Sequence, residues 1–252
     1  MNYFDANTWV GHWPFSLQPA HTPRTLAAHL RGLGIRRALV SPLDAVLAPS
    51  PSPANRELLR TTRGINALVP VPIINPALAD WRDELATCAA DPRVRAVRVL
   101  PNYHNYRLRF RAVHEFAGEL QRRRLRLMVQ VRLVDERHEF HAMHLKGVPA
   151  GELDRFLVQH PTLRVLACGL TRPELFALAP KRPRLLADLS FVEWHDVLPN
   201  ALTKVPGRQL VFGSHTPFFI TAASRAKLAA SGLSARVVAP IAAGNLTKFF
   251  GS

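Results

Sequence analysis

The groups able to do chemistry in this chain stand in the C-terminal parts of short apolar runs or just after them. In order they are Asn7 and Trp9, Ser41 and Asp44, and Asn75, followed by Arg98 with Asn102, Tyr103, His104 and Tyr106. Gln130 and Arg132, Cys168, Asp188 with Ser190 and Glu193, and finally Ser214 and His215 complete the series. An imidazole such as His215 takes a proton from water near neutral pH. A guanidinium such as Arg132 grips a carboxylate or steadies an oxyanion, and Arg98 is a second clamp of the same kind. Trp9 offers an apolar wall and Asn7 a donor to a carbonyl. These types suit hydrolysis or lyase chemistry on a small anionic substrate.

No metal or other cofactor is expected. The two cysteines, Cys88 and Cys168, are far apart and in no metal-binding spacing. His138, His141 and His144 follow at three-residue steps. On a helix that trio drifts around the surface and lacks the i, i+4 pair of a metal-binding helix, so it reads as a solvated face.

The elements that must position these groups alternate. Apolar, β-branched runs lie at Tyr3–Trp9, Arg37–Ser41, Ala67–Ile74, Ala96–Leu100, Leu125–Leu133, Leu163–Cys168, Leu185–Leu189 and Gln209–Gly213. Helical patterning falls between them, at Pro23–Leu33, Asn55–Arg63, Trp81–Ala90, Phe110–Arg123, Ala150–Gln159, Pro173–Leu178 and Ala222–Ala230. Eight strands spaced by about one βα unit predict an α/β fold, a (β/α)8 TIM barrel formed by one domain over residues 1–252. The turn after the first strand has one glycine, Gly11, which counts against a dinucleotide-binding open sheet. In a barrel, function sits at the C-terminal strand ends, where the polar groups fall. Strand alternation puts Asn7 with Trp9 on one face and Gln130 with Arg132 on another, both taken as inward.

Composition narrows the classes. With 48% hydrophobic residues among 252, the chain buries a full core. The formal charge of +15 invites a nucleic-acid reading. The basic residues are mostly arginine scattered from Arg24 to Arg236, with no aromatic-interleaved stripe, so no nucleic-acid partner is expected and the charge favours anionic ligands. The most apolar stretch, Ile65–Ala79, is short and carries Pro70, Pro72 and Pro76, so no membrane span is expected. The opening residues resemble no secretory signal, and a cytoplasmic location is expected.

Four segments resemble the amidohydrolase-related barrels (amidohydrolase family 2). They are Phe4–Gly11, similar to the strand-one Asp followed by His-x-His, and Val97–Leu108, similar to the strand-four pattern. Leu210–Phe219 is similar to the strand-eight Phe-Gly-Ser-Asp-x-Pro-Phe motif, and Ile241–Gly251 to the terminal Gly-Asn…Phe-Gly helix. The resemblance spans the chain. It implies a hydrolase-like barrel in which a homodimer is plausible and metal-free lactone hydrolysis has precedent. It also implies a metal site, and here the positions matching its ligands hold Asn7, Trp9, Arg132, Cys168 and His215. Those residues build no cage for a divalent ion, and Arg132 would place a fixed charge where the cation sits.

Two readings stay open at this point. In one, His215 and Arg132 catalyse metal-independent hydrolysis of a small carboxylated ester or lactone. Asn7, Trp9, Arg98, Tyr103, His104, Tyr106, Gln130, Cys168, Asp188 and Glu193 then form the substrate site. In the other, the barrel is catalytically inactive and acts as a ligand-binding or partner subunit. His215 is then a core residue, and Arg132 pairs with Asp188 or Glu193.

Overall fold

The computed structural model describes residues 1–15, 19, 21–138 and 145–251. Eight parallel strands alternate with helices: β1 Tyr3–Val10, β2 Ile35–Pro42, β3 Leu68–Pro70, β4 Ala96–Val99, β5 Arg126–Gln130, β6 Val165–Cys168, β7 Leu185–Asp188 and β8 Leu210–Val211. Ladders join β1 to β3 in order and β4 to β8 in order. Two seams close the ring. Arg98 N–H donates to Pro72 O at 2.8 Å and Ile74 N–H to Arg98 O at 2.9 Å, tying β4 to the chain after β3. Ala6 N–H donates to Phe212 O and Trp9 N–H to Thr216 O, each at 2.9 Å, tying β1 to the chain after β8. The fold is the TIM barrel.

The helices are α1 Pro23–Gly32, α2 Ser52–Thr61, α3 Trp81–Ala89, α4 Arg111–Arg122, α5 Ala150–Gln159, α6 Arg172–Leu178, α7 Val197–Leu202, α8 Thr221–Ala229, α9 Ala235–Ala239 and α10 Asn245–Phe250. Local chemistry sets several ends. Thr22 and Thr171 cap α1 and α6 with reciprocal side-chain and backbone bonds, and each helix has a proline in its first turn. The third strand is shorter than the apolar run predicts because Pro70 and Pro72 have no N–H for a ladder. The strand-five run also stops early, at Gln130, and this decides where Arg132 points.

Helices cover the outer faces of the strands, burying Val97, Val99, Leu127, Val129 and Val165. The bore is filled by Phe4, Ala6, Leu39, Met128, Leu166, Cys168 and Val211, with Phe249 and Phe250 of α10 against them. The strand-start arginines Arg95, Arg126 and Arg164 donate to the α10 carbonyls of Phe250, Phe249 and Lys248. Cations thus sit at a helix C-terminus, where the backbone dipole favours them, and hold the plug in the N-terminal end. The C-terminal end is left to the polar residues. Among the described residues, no helix is long and apolar enough to cross a membrane.

Candidate functional site

A register shift in β1 brings its polar residues inside. Between Asp5 and Thr8 the pairing with β2 slips, so β1 carries one extra residue opposite Ala38 and Val40. Such a bulge reverses the alternation. Phe4 and Ala6 therefore face the bore below it, and Asn7 and Trp9 above it.

Asn7 is the hub. Its amide nitrogen spends both hydrogens, on Asp188 Oδ2 and on His215 Nδ1, each at 2.9 Å. Its carbonyl accepts from Arg98 Nη1 at 2.9 Å. The second Nη1 hydrogen goes to Gln130 Oε1 at 3.0 Å. Gln130 in turn donates to Arg132 O at 2.6 Å. Asp188 also accepts from Gly169 N–H and from Ser190 Oγ, both at 2.9 Å. The Arg98 guanidinium lies 4.1 Å from the Trp9 ring centre, a cation–π contact. All these side chains except Arg132 are buried.

His215 is fixed as a neutral imidazole. Its Nε2 lies 2.5 Å from Leu133 O, and a carbonyl only accepts, so Nε2 carries the hydrogen. Nδ1 is then the acceptor for Asn7. The ring stacks on Phe218 at 5.0 Å and meets Trp9, Phe191 and Phe219 edge-on. Burial, aided by the nearby Arg98 charge, lowers its pKa to about 3, against a smaller opposing effect of the Leu133 bond. His215 at rest is therefore a poor base, and its lone pair is engaged.

The sequence reading omits Asp5. Its Oδ1 accepts from Asn7 N–H at 3.0 Å and Ser214 N–H at 2.9 Å, while Oδ2 has no partner. Burial is the main cause that lifts its pKa to about 7, and the Asp188 charge adds to it. Burial raises Asp188 as well, but three hydrogen bonds and Arg98 oppose the rise. Arg98 faces both carboxyls, and the Lys227 ammonium adds a second positive charge near Asp188. Asp188, better solvated by protein donors, holds the charge, and Asp5 is the group that takes a proton near neutrality. The signal in the sequence is its match to the Asp that precedes His-x-His in the strand-one motif, two residues before Asn7.

Several expectations are corrected. Arg132 lies past the end of β5, and its guanidinium turns out of the bore. It pairs with Glu174 of α6 at 3.0 Å and Glu136 at 2.9 Å, and donates to Gly169 O. Its partners are thus neither Asp188 nor Glu193, and the central cation is Arg98. Glu193 is exposed and pairs with Arg137 at 3.4 Å. His104 approaches Ala45 O at 3.3 Å, and Tyr103 packs on Trp13 in the cap. Tyr106 lines a separate cleft of about 540 Å³ beside Asn102 and Lys146. Cys168 is packed in the bore among apolar side chains, and burial pushes its thiol pKa well up. Of the His138, His141 and His144 trio, only the backbone of His138 is among the described residues.

The residues at the metal positions do not fit a metal. Asn7 aims N–H groups, not lone pairs, at Asp188 and His215, and both Asp188 oxygens already accept hydrogen bonds. Arg98 brings a fixed positive charge against Asn7. Among the described residues, no group of three or more His, Cys, Asp or Glu side chains is placed to hold an ion.

What the cluster does offer is an unused donor edge. Arg98 Nε and Nη2 and Trp9 Nε1 are buried and have no hydrogen-bond partner. The Nε–Nη2 edge of a guanidinium matches a carboxylate with two parallel bonds. Trp13, packed on Phe15, Tyr103 and Phe218, caps this end of the barrel.

No family model matches the chain, and no curated protein matches it. Solved structures of similar fold do. A 5-carboxyvanillate decarboxylase from Novosphingobium aromaticivorans, with bound manganese, superposes with a TM-score of 0.75 at 12% identity, over 99% of this chain and 97% of that one. A probable 2-pyrone-4,6-dicarboxylic acid hydrolase from Acinetobacter baumannii, with citric acid bound, gives 0.70 at 13% identity over all of both chains. An uncharacterized TIM-barrel protein from Bordetella bronchiseptica gives 0.75 at 13% identity, over 100% and 99%. The fold is therefore the TIM barrel that this chain shares with these structures.

Proposed function

We propose that this protein is a hydrolase-like barrel that takes a small carboxylated ester or lactone without a resident divalent metal. The observation that carries the reading is the buried, unpaired Nε–Nη2 edge of Arg98. A buried donor without a partner costs about 1–3 kcal/mol, and a ligand carboxylate repays that cost with charge-assisted bonds. The similar structures handle a carboxyvanillate and a pyrone dicarboxylic acid, ligands of the same chemical class. Arg98 is the clamp in this reading, Trp9 the apolar wall, and Asp5 the proton carrier in place of resting His215. The ligand enters by displacing the Trp13 cap.

One observation favours a second reading, a catalytically silent barrel that only binds. The hydrogen bonds of Asn7 to Asp188 and His215 already satisfy the groups that would activate water. One experiment addresses both. The protein is titrated with aromatic mono- and dicarboxylates and with carboxylated lactones, following Tm and the lactone absorbance. A Tm rise that Arg98→Met abolishes supports the clamp. Lactone loss lifts the first reading over the second, and binding without turnover does the reverse. Equal response of wild type and Arg98→Met to every carboxylate rejects both.

A further inference from the structure

Arginines that look scattered along the sequence recur with the βα period, so the closed barrel gathers them at one end. The segments that lead from α1–α7 into β2–β8 are residues 33–37, 62–68, 90–96, 123–126, 160–165, 179–185 and 203–210, and each carries arginine or lysine. Together they hold 14 such residues and one carboxylate, Asp91. The strands are parallel and start at the same end of the barrel, so these segments share one face. They ring α10. Arg95, Arg126 and Arg164 donate to its last carbonyls, and Asn245 in its first turn donates to Gly207 O, in the segment before β8. Carboxylates lie at the other end, where Asp44, Asp135, Glu136, Glu193 and Asp196 follow the strand ends.

Local structure offsets part of this charge. Each helix C-terminus carries about −0.5 charge, so the seven helices balance about four cations. Glu119 and Asp154 pair with Arg123 and Arg182, and Asp91 with Arg93. About seven positive charges stay unbalanced. Arg36, Arg124, Arg184, Lys204 and Arg208 are exposed and form no ion pair among the described residues. The face is also grooved. Arg124, Arg126 and Arg164 line a cleft of about 290 Å³, and Lys181, Arg182 and Arg184 one of about 250 Å³. Leu163 lines both, so one basic groove crosses the starts of β5, β6 and β7. Burial, and then the charges of Arg164 and Arg95, lower the Arg126 pKa, which reflects how closely these cations crowd. A guanidinium fork matches phosphate. The exposed aromatic side chains among the described residues, Phe15, Phe110 and Trp194, follow strand ends at the opposite face. The basic face therefore has neither a platform to stack the bases of a single strand nor an aromatic anchor for a lipid interface.

We propose that the N-terminal end of the barrel docks on the phosphate backbone of a nucleic-acid duplex, with Arg124 and Arg184 at the centre of the contact. The scatter of arginine that counts against such a partner in the linear sequence disappears once the ring closes. Contacts of this kind hold phosphates and carry no base preference. Each neutralised phosphate releases condensed counterions, so affinity falls with salt by about 0.9 in log–log slope per contact. Five unpaired cations give an expected slope of about −3 to −5. The inference goes beyond the carboxylate reading, because this face and the Arg98 centre lie at opposite ends of the barrel.

The test is fluorescence anisotropy of a labelled DNA duplex of about 20 base pairs, titrated with the protein between about 50 and 200 mM salt. Wild type is expected to bind with the slope given above. Arg124→Glu/Arg184→Glu is expected to lose at least about tenfold in affinity, with a slope shallower by about 2. Arg107→Glu/Arg137→Glu makes the same change in net charge on exposed residues at the opposite end, and is expected to stay within about twofold of wild type because salt screens charges that far away. Lys204→Glu/Arg208→Glu repeats the loss on the basic face where the first pair fails to fold. An RNA duplex of the same sequence is titrated beside the DNA; binding of either supports the face, and the tighter binder names the source of the phosphates. No binding at the lowest salt, an equal loss in the pairs at the two ends, or tighter binding to phosphatidylserine vesicles than to both duplexes would overturn the proposal. A carboxylate titration without response would leave these results untouched, so failure of the proposed function and failure of the basic face are distinguishable.

Discussion

Replacing Asp5 with asparagine tests the electrostatics of the barrel centre directly. The carboxyl titrates at about 7 in the folded protein and at 3.8 in an unperturbed chain. The folded state therefore binds the proton more tightly, and above pH 3.8 it holds more protons than the unfolded state. Stability falls as pH rises through that window and levels off above about pH 7. A separation of about three pH units, at 1.36 kcal/mol each, makes the ionised Asp5 cost about 4 kcal/mol at pH 8. Asparagine keeps an oxygen for the N–H groups of Asn7 and Ser214 and never ionises. Urea unfolding of wild type and Asp5→Asn at pH 5 and pH 8 separates this effect from other titrations. The variant is expected to gain about 3 kcal/mol on wild type between the two pH values. A stability difference that stays constant from pH 5 to pH 8 would refute the raised pKa of Asp5.

Other outcomes follow from the same contacts. Arg98→Met removes the cation that faces Asp5 and Asp188 and strands Asn7 Oδ1 and Gln130 Oε1, and should cost about 3–5 kcal/mol in urea unfolding. Arg132→Met breaks a pair with Glu174 that is only partly exposed; a loss of about 1–2 kcal/mol with unaltered carboxylate response is expected, since its guanidinium lies outside the bore. His215→Ala removes a ring packed among Trp9, Phe191 and Phe218 and should lower stability by about 2–4 kcal/mol, read by thermal and urea unfolding. Addition of manganese or zinc to chelator-treated protein is expected to leave Tm unmoved, because Asn7 and Arg98 present hydrogens where a cation needs lone pairs; a saturable Tm rise would contradict that donor assignment.

The alternation of eight strands with helices is legible in the chain's local pattern, because side-chain periodicity and turn residues act over a few positions. The same pattern shows which strand ends carry polar groups, so Asn7, Trp9, Arg98, Gln130, Asp188 and His215 were legible as a set. Helix starts at Thr22 and Thr171 were written in the same local chemistry. Arg132 was not legible. Alternation carried it inward, yet β5 ends two residues earlier and Glu174 draws the guanidinium outward. Asp5 was hidden too, because its importance depends on a bulge in the pairing with β2 and on Ser214 across the closing seam. The state of His215 was decided only by tertiary structure. Asn7 is 208 positions away in the chain, and ring closure alone brings its amide to Nδ1. Local pattern fixes which groups line the mouth. Which of them holds a proton is set by burial and by partners that only the closed barrel assembles.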